Sequence, residues 1–291
     1  MFFSGIADEA SPQLSRQIEA HVALGWRHIE MRNIEGVNFT DLPDETFASA
    51  AARLEEAGLK VSCFASQIGN WARPISSDFE RDAAELTRAA RRMARLGTRF
   101  IRCMSYPNAT PPWSDGDWRE EAVRRMKLLA RMAEDAGVVL VHENCSGWGG
   151  QGPGQTMELL DAVGSDHLKL VFDTGNPIEY HQDSWTYYRQ VRQHVVYVHI
   201  KDYQVSPDGK HRAVFPGEGK GAVREIIADL FSRGYDGGFS IEPHITSVIH
   251  KREEASDPEL AYRTYVEYGR RLEALVREIH LGSSPRAEPA H

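Results

Sequence analysis

The sequence predicts an α/β fold, an eight-stranded parallel (β/α)8 TIM barrel, and three observations lead to it. One unit recurs along the 291 residues: an amphipathic helix, a glycine, and a short apolar strand. Strict helix–strand alternation implies parallel strands joined by right-handed crossovers. Finally, four successive strands each end in an ionisable side chain. Val138-Val139-Leu140-Val141 leads into His142-Glu143, and Leu168 to Phe172 leads into Asp173. Val195 to Val198 leads into His199, and Gly238 to Ile241 leads into Glu242. In a parallel barrel such ends meet on one face, where active sites are built. A doubly wound open sheet is the structural alternative. No GxGxxG motif opens a helix after the first strand, which weighs against it.

The first strand is Phe2 to Ile6. Ser11-Pro12 opens the first helix, since proline is tolerated in a first turn. Leu24-Gly25 ends it before the strand Trp26 to Glu30. The second helix spans Pro43 to Ala57, with Gly58 ahead of Leu59 to Phe64. The third runs from Asp78 to Leu96-Gly97, before Arg99 to Arg102; the fourth runs from Trp118 to Ala136, with Gly137 ahead of the Glu143 strand. Met157 to Val163, Trp185 to Gln193 and Val223 to Arg233 precede the Asp173, His199 and Glu242 strands. Glycine after a last helical turn is the expected stop, because it accepts the left-handed conformation. A last helix from Asp257 to Ile279 closes the outer ring. Residues 1–280 read as a single domain, and the Ser/Pro/Ala-rich tail 281–291 reads as disordered.

Composition narrows the function. Apolar content is 41% and charged content 26%, as in soluble globular proteins. A net charge of −8 argues against a general nucleic-acid binder. Three cysteines with no CxxC pair fit reduced thiols. No signal peptide or membrane-spanning run is visible, so a cytoplasmic location is expected.

Two long loops, Ser105 to Gly116 and Ser146 to Gly154, follow strands on the presumed active face. The second is glycine-rich but lacks the GK[ST] ending of a P-loop, so it reads as a substrate cover. Arg88, Arg91, Arg92 and Arg95 read as a solvated helix face.

Three carboxylates and one imidazole form a borderline-hard ligand set for one divalent metal: Mn, Mg, Co or Zn. Taken singly, each residue has a plainer reading. A strand-end Glu anchors loops, a His after an apolar strand is a core histidine, and Asp173 in Asp-Thr-Gly-Asn caps a turn. Residues two apart on a strand share a face. Lys201 therefore accompanies His199, and His244 accompanies Glu242, as substrate-facing groups. The competing reading for Lys201 is a salt bridge to Asp202 or Glu218.

His142-Glu143-Asn144, Phe172 to Asn176, Val198 to Asp202, Pro216-Gly217-Glu218-Gly219 and Ile241 to His244 together resemble the xylose-isomerase-like TIM-barrel superfamily. Within it, the chain is most similar to the sugar (phosphate) isomerase/epimerase group, which includes ketohexose 3-epimerases and 2-keto-myo-inositol dehydratase. The resemblance implies that Glu143, Asp173, His199 and Glu242 bind one metal, commonly manganese. It also implies that Glu143 and Glu242 act as acid and base on a small sugar through an enediolate. The epimerases carry a His three residues after the metal Asp, where this chain has Asn176. Arg212 is the nearest candidate for their substrate-binding Arg. The expected activity is therefore a metal-dependent isomerase or epimerase, with a lyase acting on a keto-sugar or inosose as the alternative. An endonuclease IV-like hydrolase is disfavoured, because the ligand set has a single His. The substrate, its phosphorylation, the native metal and any homo-oligomer stay open at this stage.

Overall fold

The structure is a computed structural model that describes residues 1–246 and 257–283. In chain order its strands are β1 (Phe2–Gly5), β2 (His28–Met31), β3 (Asn33–Ile34), β4 (Val37–Asn38), β5 (Lys60–Ala65), β6 (Phe100–Ser105), β7 (Val139–Gly147), β8 (Leu168–Asp173), β9 (Val195–Ile200), β10 (Asp202–Val205), β11 (His211–Val214) and β12 (Gly238–Ile241). Eight of them form one parallel sheet in the order β1-β12-β9-β8-β7-β6-β5-β2. β1 and β2 close the ring through a single parallel bridge between Ile6 and Glu30. This is the expected (β/α)8 barrel. The remaining strands make two small antiparallel hairpins, β3–β4 and β10–β11. The second contains the Ser206-Pro207-Asp208-Gly209 turn.

The helices are α1 (Leu14–Leu24), α2 (Asp44–Glu56), α3 (Glu80–Leu96), α4 (Asp115–Asp135), α5 (Pro153–Val163), α6 (Asn176–Glu179), α7 (Ser184–Val191), α8 (Val223–Ser232) and α9 (Pro258–Ser283). The one-turn α6 has no counterpart in the sequence reading, because four residues show no helical period. The expected disordered tail is helical as far as Ser283, and from residue 284 it lies outside the described residues. Among the described residues no helix is long and apolar enough to cross a membrane.

Alternation along each strand divides the core. Outward side chains such as Leu140, Leu170, Phe172, Val198, Ile200, Phe239 and Ile241 pack beneath the helices. Inward ones form a small apolar cluster of Cys63, Val139, Val141, Val171 and Tyr197. Each strand then gains one more inward residue toward its carboxyl end, and there the interior becomes polar.

Arg92 departs from the solvated reading. It is buried, and its guanidinium donates to the carbonyls of Phe39, Thr40 and Leu42 and to Asp44. The glycine-rich segment packs closely against β6. Trp148, Gly149 and Gly150 are buried, and Gly149 N–H donates to Ser105 Oγ at 2.7 Å. The glycines are there for close backbone packing: a Cβ on Gly150 would lie 1.9 Å from Cys145 O. Overpacking of this kind costs about 1–3 kcal/mol. Gly150→Ala is therefore expected to lower the melting temperature by several degrees. An unchanged midpoint in thermal unfolding would contradict this packing account.

Candidate active site

Four strand ends deliver the cluster. Glu143 projects from β7, Asp173 from the last residue of β8, His199 from β9, and Glu242 from the residue after β12. All four are buried, and each offers one ligand atom within 4.8 Å of the others. Asn144 fixes the spacing of β7 and β8. Its Oδ1 accepts from Asp173 N–H at 2.7 Å, and its Nδ2 donates to Asp173 O at 3.0 Å.

Asp173 caps a turn with one oxygen and turns the other toward the cluster. Its Oδ1 accepts from the N–H groups of Gly175 (2.8 Å) and Asn176 (2.6 Å), capping the turn into α6. Its Oδ2 is turned into the cluster, 3.2 Å from Lys201 Nζ. Glu143 Oε1 accepts from Asn176 Nδ2 at 3.1 Å and lies 3.5 Å from His199 Nδ1. Glu143 Oε2 lies 3.3 Å from Arg102 Nη1. Three buried atoms of the cluster, Glu143 Oε2, Asp173 Oδ2 and His199 Nδ1, have no hydrogen-bond partner. Burying polar atoms unsatisfied is costly. Glu143 Oε2 and Asp173 Oδ2 meet only the Arg102 and Lys201 cations at ion-pair distance, and oxygen and imidazole atoms converging in this way could hold a divalent cation. The residues present therefore fit one.

The whole-chain pattern agrees: the family described as Xylose isomerase-like TIM barrel matches residues 18–271. The chain belongs to the xylose isomerase-like TIM barrel family. Over 146 residues it is 24% identical to an inosose dehydratase of Lacticaseibacillus casei, a match covering 45% of this chain and 49% of that protein. The chain thus spans about half the length of the curated relatives it matches. A D-tagatose 3-epimerase-like protein superposes with a TM-score of 0.73 at 15% identity, covering 98% of this chain and 100% of that one. A D-psicose 3-epimerase gives 0.70 at 17% identity, covering 96% and 99%. A probable 3-DHS dehydratase from Bacillus anthracis gives 0.70 at 17% identity, covering 92% and 98%. At these identities the structural likeness establishes the fold.

In this family member the cluster is ringed by basic groups. Lys201 follows β9 and is buried, with Nζ 3.2 Å from Asp173 and 3.1 Å from Glu242 Oε2. It does not pair with the alternatives. Asp202 accepts instead from the N–H groups of Gly217, Gly219 and Gly221, and Glu218 pairs with Arg271. The Pro216-Gly217-Glu218-Gly219 motif is thus a backbone cradle for Asp202.

His244 lies against Glu242, with Nε2 3.3 Å from Oε1 and Nδ1 3.0 Å from Tyr203 Oη. It forms part of the site wall and does not line the cleft. The strand ends at Ile241, and His244 has a φ of 52°, so strand alternation does not carry as far as this residue. Arg212 is a correction. It is exposed on β11, where its guanidinium donates to Gln204 Oε1 at 2.7 Å. The hairpin holds it away from the cleft.

Four residues were missed. Arg102 on β6 lines the cleft beside Glu143. Arg32 reaches Glu242 Oε1 at 2.8 Å while also pairing with Asp8 and Glu9. Glu9, Glu242 and His244 form a second trio of metal-capable atoms, but there Arg32 already supplies the cation. Glu30 accepts from His199 Nε2. Trp71, 37% exposed on the loop after β5, stands at the mouth of a cleft of ≈ 100 Å³ shared with Arg102, Cys145, Asn176, Tyr180 and Lys201. Arg73 anchors that loop through Asp82 and Glu85 of α3. The signal for Arg32, Arg102 and Glu30 was a charge within or just after an apolar strand. Trp71 left no such signal.

The electrostatics follow from burial and proximity. Burial pushes Asp173 up to about 6, aided by Glu242 and Glu143 against the pull of Lys201. Burial also opposes ionisation of Glu143, yet Arg102 and His199 bring it down to about 2. For His199 burial disfavours the charged ring, but Glu30 and Glu143 outweigh it and push it up to about 10. His244 is raised to about 9 by Glu9 and Glu242 in the same way, against burial and Lys201. A raised histidine adds stability that is fully present below its unfolded pKa of 6.5 and is lost as pH rises through its folded value. The melting temperature of metal-free protein is accordingly expected to fall between pH 7 and pH 10. His199→Asn should make that fall shallower. A slope the same as the parent's would contradict the assignment.

Proposed function

We propose that this chain is a divalent-metal-dependent enzyme that isomerises or epimerises a small sugar or sugar derivative. Glu143, Asp173, His199 and Glu242 would hold the metal. The convergence of Glu143, Asp173, His199 and Glu242, all buried and each offering a ligand atom within 4.8 Å of the others, carries this reading. When bound, the metal supplies Lewis acidity that stabilises negative charge on substrate oxygens. Manganese is the metal we propose first, with magnesium, cobalt and zinc suiting the same donors.

The chain's own residues do the rest. Glu143 and Glu242 come from different sides of the ring, so their carboxylates can take a proton from one face of a substrate and return one to the other. Asn176 Nδ2 orients Glu143 through Oε1. Lys201 Nζ lies between Asp173 and Glu242, where it can donate a hydrogen bond to a substrate oxygen. Trp71 and Tyr180 wall the mouth of the cleft and restrict water.

A second reading, loss of a β-hydroxyl as in a dehydratase, is favoured by one asymmetry. Glu242 is clamped by Arg32, Lys201 and His244, which hold its carboxyl well below the usual range despite burial. Glu143 faces only one arginine and one histidine, an asymmetry that suits a reaction in which Glu143 takes the proton beside the carbonyl and a protonated group such as Lys201 gives one to the departing hydroxyl. The dehydratase activity for which the Lacticaseibacillus casei relatives are named is consistent with this second reading.

Incubation with ketoses, inososes and their phosphates in deuterated water separates the two. Exchange at one carbon beside a carbonyl is expected with a member of the panel. Recovery of an epimer or isomer supports the first reading, and an unsaturated or deoxy product supports the second. Glu143→Gln and Glu242→Gln should each lose about a hundredfold to ten-thousandfold in turnover. Near-parental turnover in both would contradict the two-carboxylate mechanism.

A further inference from the structure

We propose that Glu30 is a positioning residue for His199: it holds the ring's Nε2–H and so aims the Nδ1 lone pair at Glu143, Asp173 and Glu242. The inference rests on the metal reading above. Glu30 lies on β2, fully buried, at the bridge to Ile6 that closes the barrel. Its two carboxylate oxygens are 3.1 and 3.2 Å from His199 Nε2. Ser240 Oγ donates to Glu30 Oε2 at 2.6 Å, which fixes the carboxylate itself. Among the described residues no lysine or arginine reaches Glu30 at salt-bridge distance, so the imidazole is its basic partner.

A neutral imidazole carries one proton, and an ionised carboxylate can only accept. Beside Glu30 that proton belongs on Nε2, which leaves the lone pair on Nδ1. The other tautomer would set two lone-pair-bearing groups against each other in a dry interior. Nδ1 has no hydrogen-bond partner and faces Glu143 Oε1 at 3.5 Å. Tyr197 meets the ring at 80°, with centroids 6.0 Å apart, and limits its rotation. Carboxylates behind a metal-bound histidine typically change metal affinity about tenfold to a hundredfold.

The test uses the full chain, with manganese affinity read from free Mn(II) in electron paramagnetic resonance. Glu30→Leu is expected to weaken the Kd about tenfold to a hundredfold. Glu30→Gln should weaken it less, because an amide oxygen still accepts from Nε2–H. In the Co(II)-loaded parent, the N–H of a metal-bound histidine gives a strongly shifted exchangeable proton signal. A slowly exchanging signal of this kind is expected in the parent, with faster exchange in Glu30→Leu. That parent spectrum tests the proposal even if Glu30→Leu does not fold. A merely structural Glu30 would lower the melting temperature of its variants while leaving Kd and the proton signal of the folded protein unchanged, and that result overturns the proposal. A parent lacking a slowly exchanging signal overturns it too. A parent that takes no manganese or cobalt overturns the metal reading and the proposal together.

Discussion

Everything at the carboxyl end of this barrel depends on balancing charge among buried side chains. Asp8, Glu9, Glu30, Glu143, Asp173 and Glu242 are all buried there. Carboxylates crowded in a low dielectric repel one another and are expensive to ionise. Arg32, Arg102 and Lys201 offset half of them through direct ion pairs with Glu242, Glu143 and Asp173. Arg32 also pairs with Asp8 and Glu9, while His199 and His244 face Glu30 and Glu9. In the metal-free protein both imidazoles answer this by holding their protons above the usual range. A divalent cation held by the proposed ligands would offer another solution, with His199 Nδ1 giving up its proton to bind it and one further positive charge added. Metal affinity, pH-dependent stability and the basicity of the glutamates are thus linked through one charge balance.

The same balance distinguishes the two glutamates. Glu143 faces one arginine and one histidine, whereas Glu242 is held by an arginine, a lysine and a histidine. Whether both glutamates or only one moves a proton separates the proposed epimerisation from the proposed dehydration. Family membership accommodates both outcomes, since the proteins resembling this chain include epimerases and dehydratases.

Much of this was legible in the sequence, because strand endings are local. An apolar run followed by Glu, Asp or His announces a buried strand delivering a polar group, and four such endings in order announce a shared face. Glycine-stopped helices such as α1, which ends at Gly25 with φ 70°, were legible for the same reason. Contacts distant in sequence were not. Glu30 was read as the end of an ordinary strand; its partner His199 lies 169 positions away. Arg32 and Arg102 acquire their roles only when β2 and β6 are bent into the ring. Arg212's position was not legible because the β10–β11 hairpin was not foreseen, and His244 lies past the end of β12, where alternation no longer applies. The glycine-rich segment was read as a substrate cover, and the Cβ-free approach of Gly150 to Cys145 was not visible in it.

The most direct test of the central claim is anomalous diffraction from crystals loaded with manganese or zinc. The account predicts one strong peak bounded by His199 Nδ1 and carboxylate oxygens of Glu143, Asp173 and Glu242, at about 2.0–2.2 Å from each ligand atom. A peak confined to Glu9, Glu242 and His244, or no peak at the four strand ends under saturating metal, would contradict it.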